Sequence, residues 1–477
     1  MTRRSLVVIG GGISGLAAAW DLAGGADGPS ADSPRVEVLE ASERVGGSLA
    51  TTVFAGRTVD VGPDGFLARR PEATALVREL GLSERLEAIE ASGAWLWLRD
   101  QLCEIPSGLA LGVPTSYASV ASVRGLSYRA RLAARRDQWL ARRLVVGDDE
   151  TIGRIVRAKL GAELAYRFVE PLVGGIQAGR IDDLSAKSVF PALLDAARRG
   201  GSLMAAMRSS GPATPGPSAG PVKGGPAFYS LLDGVGSLPT ELAARLEARG
   251  VVIRNSTSAT ALRRGDGEYA WEVDTDATTT PAHAVIIATP AAVTAELVGH
   301  LDEGLAALAT VPSAGAAMVT LQFARDEIAL PEHGTGVLVP LATPWRGDTM
   351  LVTALTFLDR KWPHLRRDDD TVLRAHVGRS DDRRWAELED PALIDRVADE
   401  VRHLLAGTGT PRDAMVQRFP AGLPQYRLGH DSLVASARAA AARLGFELAG
   451  AAYDGVGIPA SIGSGRRAAR AALERLR

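Results

Sequence analysis

A compact, mostly apolar run spans Ser5 to Ile9, small and apolar residues recur at helical spacing from Ile13 to Leu22, and a second apolar run covers Val36 to Leu39. That order predicts strand, helix, strand, with GGADGPSADSP between the helix and the second strand as a surface loop. From Leu109 to about Ala206 the period turns helical. There Leu126, Leu132, Trp139, Leu140 and Leu144 recur among Arg124, Arg129, Arg131, Arg135, Arg136, Arg142 and Arg143, a basic amphipathic stretch. It reads either as a surface for anionic lipid, a partner enzyme or a polycarboxylate substrate, or as a plain solvated helix face. Ser209 to Pro226, rich in Gly, Pro and Ser, breaks all periodicity and predicts a mobile loop. Short β-rich runs follow at Val251–Arg254, Tyr269–Val273 and Ala284–Ala288, then a helical Ala291–Leu308, then further strands at Ala316–Phe323, Gly336–Val339 and Met350–Phe357. The last segment, Gly455 to Arg477, starts Gly-rich and becomes an Ala/Arg helix, so the N-terminal unit can be completed by residues from the far end of the chain. No internal repeat is present.

At 477 residues, and roughly 100–200 residues per domain, the chain predicts two to four domains around a large core. Its 46% hydrophobic and 23% charged residues are those of an ordinary globular protein. A formal charge of −2 argues against a nucleic-acid partner, which demands a clear basic excess. Cys103 is the only cysteine, which excludes internal disulfides and CxxC redox pairs, fits a reducing compartment, and leaves redox chemistry to a cofactor. No uninterrupted run of about 18 apolar residues exists to span a membrane. The N-terminus runs straight into a strand with no room for a targeting segment, so a cytoplasmic protein, soluble or peripherally membrane-associated, is expected.

Gly10, Gly12 and Gly15 form GxGxxG between the first strand and the first helix. Glycine there permits a tight turn, close approach of a pyrophosphate to backbone N–H groups, and close packing of helix on strand. Glu40 ends the second strand, where a carboxylate accepts the hydroxyls of an adenosine ribose; the inserted loop accounts for its longer distance from Gly15.

The residues after Glu40, ASERVGGSLAT, resemble the extended ribose-to-phosphate signature of the flavin-dependent amine oxidase and porphyrinogen oxidase superfamily, with Arg44, Gly46, Gly47 and Ser48 in its conserved pattern. Asp60-Val61-Gly62-Pro63-Asp64-Gly65 resembles the superfamily segment beside the isoalloxazine ring, and YDGVGIPASIGSGRRAA resembles the one that closes the flavin site. Three more stretches resemble the protoporphyrinogen and coproporphyrinogen oxidase branch: Phe168 to Gly179 continuing to Pro191, Phe228 to Leu242, and Phe419 to His430 with its Pro-Gln-Tyr and Gly-His. The resemblance covers almost the whole chain.

It implies an α/β (α+β multidomain) protein. An FAD-binding domain of p-hydroxybenzoate hydroxylase type comprises 1–75, 227–290 and 420–477; a mixed-sheet substrate domain comprises 76–108 and 291–419; a helical domain comprises 109–208. It implies FAD contacts at Gly10, Gly11, Gly12, Ile13, Ser14 and Gly15, at Glu40, Ala41, Arg44, Gly47 and Ser48, and at Gly62, Pro63, Asp64 and Gly65, where a side chain would collide with the flavin at the glycines. Ala259 is placed at the adenine, with Val252 as the alternative. Phe419 stands where relatives often carry a flavin-side Trp, and Gly457, Ile458, Pro459 and Ile462 close the site around a helix starting near Ala460. A helix N-terminus at the pyrimidine edge favours a reduced, anionic flavin by on the order of 1 kcal/mol.

The activity implied is oxidation of a porphyrinogen to a porphyrin at the expense of O2, releasing H2O2, with no metal and no nucleic acid involved. Hydride transfer to flavin N5 needs no catalytic triad, and none is evident; a capping or core role is favoured for His430 over acid/base catalysis. The branch departs from its pattern at Ala94, where an Arg anchor is usual, and at Ala451, which replaces a polar residue. Coproporphyrinogen III is favoured over protoporphyrinogen IX because the Arg balance suits more propionates. A peripheral membrane contact, a downstream chelatase, and a monomer or homodimer all stay open. The rivals are a flavin amine oxidase, for which Tyr453 offers one aromatic, a carotenoid-type desaturase, and a redox-inactive scaffold.

Overall fold

A computed structural model describes residues 3–91, 93–139, 144–209 and 226–476. The predicted opening unit forms with Ser5–Ile9, Ile13–Leu22 and Arg35–Leu39. Its strands enter a five-stranded parallel sheet in the order Val252–Arg254, Arg35–Leu39, Ser5–Ile9, Ala284–Ile287, Glu447–Leu448. Continuous apolar sequence suits a parallel sheet covered on both faces. One face carries Ile13–Leu22, Pro71–Glu79, Ser237–Ala248 and Ile458–Arg475; the other carries a three-stranded meander, Ala259–Arg264, Trp271–Thr275 and Thr279–Ala282, with helices Ala291–Val298 and His430–Leu444. Ala291 to Val311 therefore packs on the parallel sheet. The two ends of the chain meet here: a Cβ on Gly465 would lie 1.9 Å from the Ser14 carbonyl oxygen, so only glycine lets Ile458–Arg475 seat on Ile13–Leu22.

A second, seven-stranded sheet runs Asp413–Pro424, Ser313–Ala324, Asp370–Val377, Val352–Phe357, Gly336–Leu338, Trp95–Leu98, Gln101–Glu104, antiparallel except between Gly336–Leu338 and Trp95–Leu98. One face buries Val319, Leu321, Phe323, Leu355, Leu373 and Ala375 against helix Asp390–Leu404. Leu96, Leu338 and Ala354, joined by the register on the opposite face, pack instead into the helical layer between Val113 and Met207.

Within that layer the basic helix is Tyr128–Trp139. Ala130, Ala134 and Asp137 are its buried positions, whereas Leu132 and Trp139 are exposed, as is Tyr128. Small residues let the helix approach closely, and the buried Asp137 carboxylate accepts the Leu203 and Met204 N–H groups at the start of helix Leu203–Ser209. Leu140, Arg142, Arg143 and most of the Gly/Pro/Ser segment, 210–225, lie outside the described residues. The helical Ala291–Leu308 breaks into Ala291–Val298, Glu303–Ala306 and 3-10 turns.

Candidate functional site

The glycine loop separates the three roles its spacing implied. Gly10 has φ of +108°, and its missing Cβ would meet the Ala288 carbonyl at 2.7 Å. Gly15 would meet the Gly10 carbonyl at 1.9 Å, which is the close helix–strand contact. Gly12 is different: it caps Ile13–Leu22 at an ordinary φ of −66°, and nothing lies within 4 Å of where its Cβ would be. Its absent side chain keeps open space at a helix N-terminus with no acidic residue in the first turn, where backbone N–H groups and the dipole favour a phosphate.

Glu40 follows Arg35–Leu39, and its carboxylate accepts the Gly11 N–H at 2.7 Å and the Ser42 N–H and hydroxyl at 2.9 and 2.6 Å. The Ala41–Ser48 loop is tied to the glycine loop by Gly46 N–H donating to the Gly11 carbonyl at 2.9 Å, which brings Gly47 beside Gly12. Thr257 N–H donates to the Glu40 carbonyl, and this brings the start of Ala259–Arg264 to the same corner; Val252 stays within the parallel sheet. Ala41, Gly47, Ser48, Pro63 and Gly457 are exposed and Ala259 and Phe419 half-buried.

Several expected contacts are otherwise engaged. The Arg44 guanidinium donates to the Val45, Gly47 and Leu49 carbonyls, so it organises its own loop. The Ser14 hydroxyl donates to the Ser461 carbonyl at 2.8 Å, fastening the first helix to the last. Ile462 is fully buried in the core beneath the sheet, so its side chain packs rather than faces a ligand. The final helix starts at Ile458, not Ala460, because Gly457 at φ +104° serves as its N-cap with Pro459 in the first turn. Gly62 and Gly65 are glycines for a protein reason: their Cβ positions fall 2.1 Å from the Ser48 carbonyl oxygen and 2.8 Å from the Trp362 ring.

The Gly62–Gly65 segment rests on the open face of the seven-stranded sheet. Phe419 lies 3.5 Å from the Gly62 Cβ position. Arg374, from Asp370–Val377, is 1% exposed and donates to the Asp60 and Gly62 carbonyls. Lys361 pairs with Asp64 at 2.8 Å, and Trp362 Nε1 donates to the same carboxylate. Burial works to raise the Asp64 pKa, but Lys361 and Arg374 together hold it well below the ordinary carboxylate value. Next to them, burial and the Arg374 charge push His376 down to about 4, so it is neutral near pH 7. Lys361, Trp362, Arg374 and His376 carry no motif. Strand register places Arg374 and His376, and the short helix Leu358–Lys361 places Lys361 and Trp362, all about 300 residues beyond the Asp60–Gly65 segment.

Met318, His376, Ala354 and Leu338 are cross-strand neighbours on one face, and Gln417 opposes Met318 from the other side. Met318, His376 and Gln417 stay only half-buried in the middle of that face, between the helical layer and the Gly62 segment. Above it, Gly174 and Gly175 leave helix Glu170–Gln177 without side chains on two neighbouring positions, and Gly175 is exposed. The result is a weakly polar floor beside the Gly62–Gly65 segment.

Pro-Gln-Tyr and Gly-His act as a clamp. Gln425 Nε2 donates to the Gln177 carbonyl at 2.7 Å, Tyr426 O–H donates to the Ala451 carbonyl, and the His430 ring meets the Ala452 carbonyl at 3.0 Å. The helical layer and the Ala451–Asp454 turn of helix are thereby fixed to one strand end. His430 is a buried structural residue, its pKa lowered by burial. Tyr453 is equally buried, with its hydroxyl on Thr294.

Asp60 ties the Asp60–Gly65 segment to helix Ser237–Ala248, accepting the Val235 and Gly236 N–H groups at 3.2 and 2.7 Å. Burial pushes its pKa up to about 7 despite those bonds. A raised folded-state pKa favours the protonated native form, so stability from this group is complete below about pH 4 and declines as pH rises to about 7. Asp60→Asn is expected to flatten that decline, which amounts to a few kcal/mol by linkage. Urea unfolding at pH 5 and pH 8 measures it; an unchanged slope would assign the dependence elsewhere.

The sequence profile of the flavin-containing amine oxidoreductase family matches residues 13–473. The coproporphyrinogen III oxidase of Bacillus subtilis is 31% identical over 474 residues, covering 99% of this chain and 98% of that protein. The one from Mycobacterium leprae is 32% identical with the same coverage. Protoporphyrinogen oxidase of Macaca fascicularis is 29% identical over 98% of each chain. A crystal structure from Exiguobacterium sp. 255-15, provisionally named a protoporphyrinogen oxidase, superposes with a TM-score of 0.85 at 31% identity over 99% of this chain and 100% of that one. Reduced UDP-galactopyranose mutase, at 14% identity and a TM-score of 0.72, shares the fold.

Proposed function

From the premise that the chain belongs to the flavin-containing amine oxidoreductase family and uses FAD, we propose that it oxidises coproporphyrinogen III to coproporphyrin III, with O2 as acceptor and H2O2 as product. The observation that carries this reading is the full-length similarity, at 31–32% identity, to the coproporphyrinogen III oxidases of Bacillus subtilis and Mycobacterium leprae. FAD, when bound, would supply the acceptor for each of the three two-electron steps that together make this six-electron oxidation.

The chain's own residues would do the rest. Gly10 to Gly15 and Gly47 would take the pyrophosphate, Glu40 the ribose, Ala259 the adenine edge, and Gly62 to Gly65, Phe419 and Gly457 to Pro459 the ring. The half-buried floor of Met318, His376 and Gln417 would carry the macrocycle flat, beneath Gly174 and Gly175. A neutral His376 places no cation against pyrrole N–H groups about to lose protons. On this reading the glycine-loop, substrate and helical portions correspond to three domains, with Ala291 to Val311 counted in the FAD-binding one because of its packing.

Among the described residues no helix is long and apolar enough to cross a membrane. The exposed Tyr128, Leu132 and Trp139 on a helix rich in arginine suit a peripheral contact, with anionic lipid or with the enzyme that takes the product, from a cytoplasmic location.

Mixing the FAD-loaded protein anaerobically with substrate tests the reaction. Coproporphyrinogen III is expected to bleach the flavin absorbance faster than protoporphyrinogen IX does, and amines not at all. Preference for protoporphyrinogen IX would move the assignment to the other member of the branch, and bleaching by amines alone would discard it.

A further inference from the structure

The porphyrinogen reading leaves the propionate carboxylates without a named partner, and one guanidinium lies waiting for an anion. Arg379 follows strand Asp370–Val377, which carries Arg374 and His376, and is 7% exposed. No hydrogen bond or ion pair to its guanidinium exists among the described residues. Burying such a group unpaired is costly, and natural structures keep one mainly where a ligand completes it. Its nitrogens are not sealed in: unlike Arg374 Nε, they keep contact with open space.

Its location is set from two sides. The turn carrying it closes with backbone hydrogen bonds between Arg379 and Asp382 and is tied to the helical layer by Ser380 N–H donating to the Ala178 carbonyl at 2.8 Å. Arg180 spans the junction, bonded to the fully buried Glu170 at 2.7 Å and to Asp381 at 2.6 Å. Glu170, Asp381 and Asp382 offset part of the Arg379 charge, yet none approaches within ion-pair distance. Glu170 is held by Arg180 instead. Arg379 thus stands at the rim of the Met318–His376–Gln417 floor, where helix Glu170–Gln177 ends. Arg374, at the Gly62 end of the floor, is five residues away, at most about 17 Å of chain. A macrocycle whose reacting carbon lies at the Gly62 end extends its propionate arms over that distance.

We propose that Arg379 is the residue that binds a propionate carboxylate of the porphyrinogen, fixing which methylene bridge faces the flavin; this rests on the porphyrinogen reading above. A planar, bidentate donor suits a carboxylate, and a site shielded from water strengthens the pair.

The test compares coproporphyrin III with its tetramethyl ester, which has the same ring and no carboxylate, by fluorescence titration of wild type, Arg379→Gln and Arg379→Lys. Glutamine is expected to weaken coproporphyrin III binding roughly tenfold or more and the ester less than twofold, with lysine in between. In turnover the KM for coproporphyrinogen III rises by a similar factor while kcat changes less. Unchanged flavin absorbance and melting temperature exclude a folding effect, and an R379Q protein that fails to fold leaves R379K to make the same comparison. Equal losses for acid and ester, or no loss for either, overturn the assignment while the function stands. Wild-type protein that binds no coproporphyrin overturns both.

Discussion

Gly12→Val is expected to weaken FAD binding by roughly a hundredfold, which corresponds to about 3 kcal/mol, while costing the apoprotein only about 1 kcal/mol, the difference between glycine and valine at an N-cap. Valine needs no strained backbone at this position, since φ is −66°, and its side chain would enter space in which no protein atom lies within 4 Å of the Cβ. Nothing in the polypeptide requires glycine here. The requirement comes from the ligand: a pyrophosphate accepting the N–H groups at the start of Ile13–Leu22 must approach the backbone at the place valine would fill. Gly15 supplies the contrast, because alanine there drives its Cβ to 1.9 Å from the Gly10 carbonyl and disrupts helix packing with or without cofactor. Isothermal titration of apoprotein with FAD, alongside thermal melts of the apo forms, distinguishes the two. A G12V protein that binds FAD normally would remove the pyrophosphate from this loop.

Local chemistry made this part of the molecule readable in advance. The Ser5–Ile9 strand and Ile13–Leu22 helix have the boundaries their periodicity dictates, and the GxGxxG glycines do separate jobs that follow from having no Cβ. The meeting of chain ends was also legible, because the last segment, Gly-rich and then an Ala/Arg helix, read as able to complete the N-terminal unit, and Gly465 seats it there. Legibility fails where a residue's role depends on register. Ile462 lies in a motif-bearing helix, but its place on the helix face turns it into the core, and Ser14 spends its hydroxyl on Ser461. The orientation of the basic helix was not legible for a similar reason: alanines, not leucines, give it the close packing its neighbours need, and hydrophobic size does not mark that face. His376 and Arg379 read as unremarkable positions in AHVGRS until the strand sets them against elements from distant sequence.

Arg374 is where that register carries most energy. Arg374→Met is expected to lower the unfolding free energy of the apoprotein by about 3–5 kcal/mol, as removal of one partner from a buried charge cluster does. The guanidinium is fully buried between the Asp60 and Asp64 carboxylates and bonded to two carbonyls of the Asp60–Gly62 backbone, and among the described residues its Nε has no partner. The loss should depend on pH with a definite sign. Without the guanidinium both carboxylates protonate more readily in the folded state, so their folded pKa values rise above those of the wild type. Below both values each carboxylate is neutral and misses its counter-charge little; as pH rises through them, the variant bears ionised groups the wild type had compensated. The deficit against wild type should therefore be smaller at pH 5 than at pH 8, read from urea unfolding at each pH. A deficit equal at both would mean that Arg374 acts through its carbonyl hydrogen bonds alone, with its charge irrelevant to how Gly62–Gly65 is held.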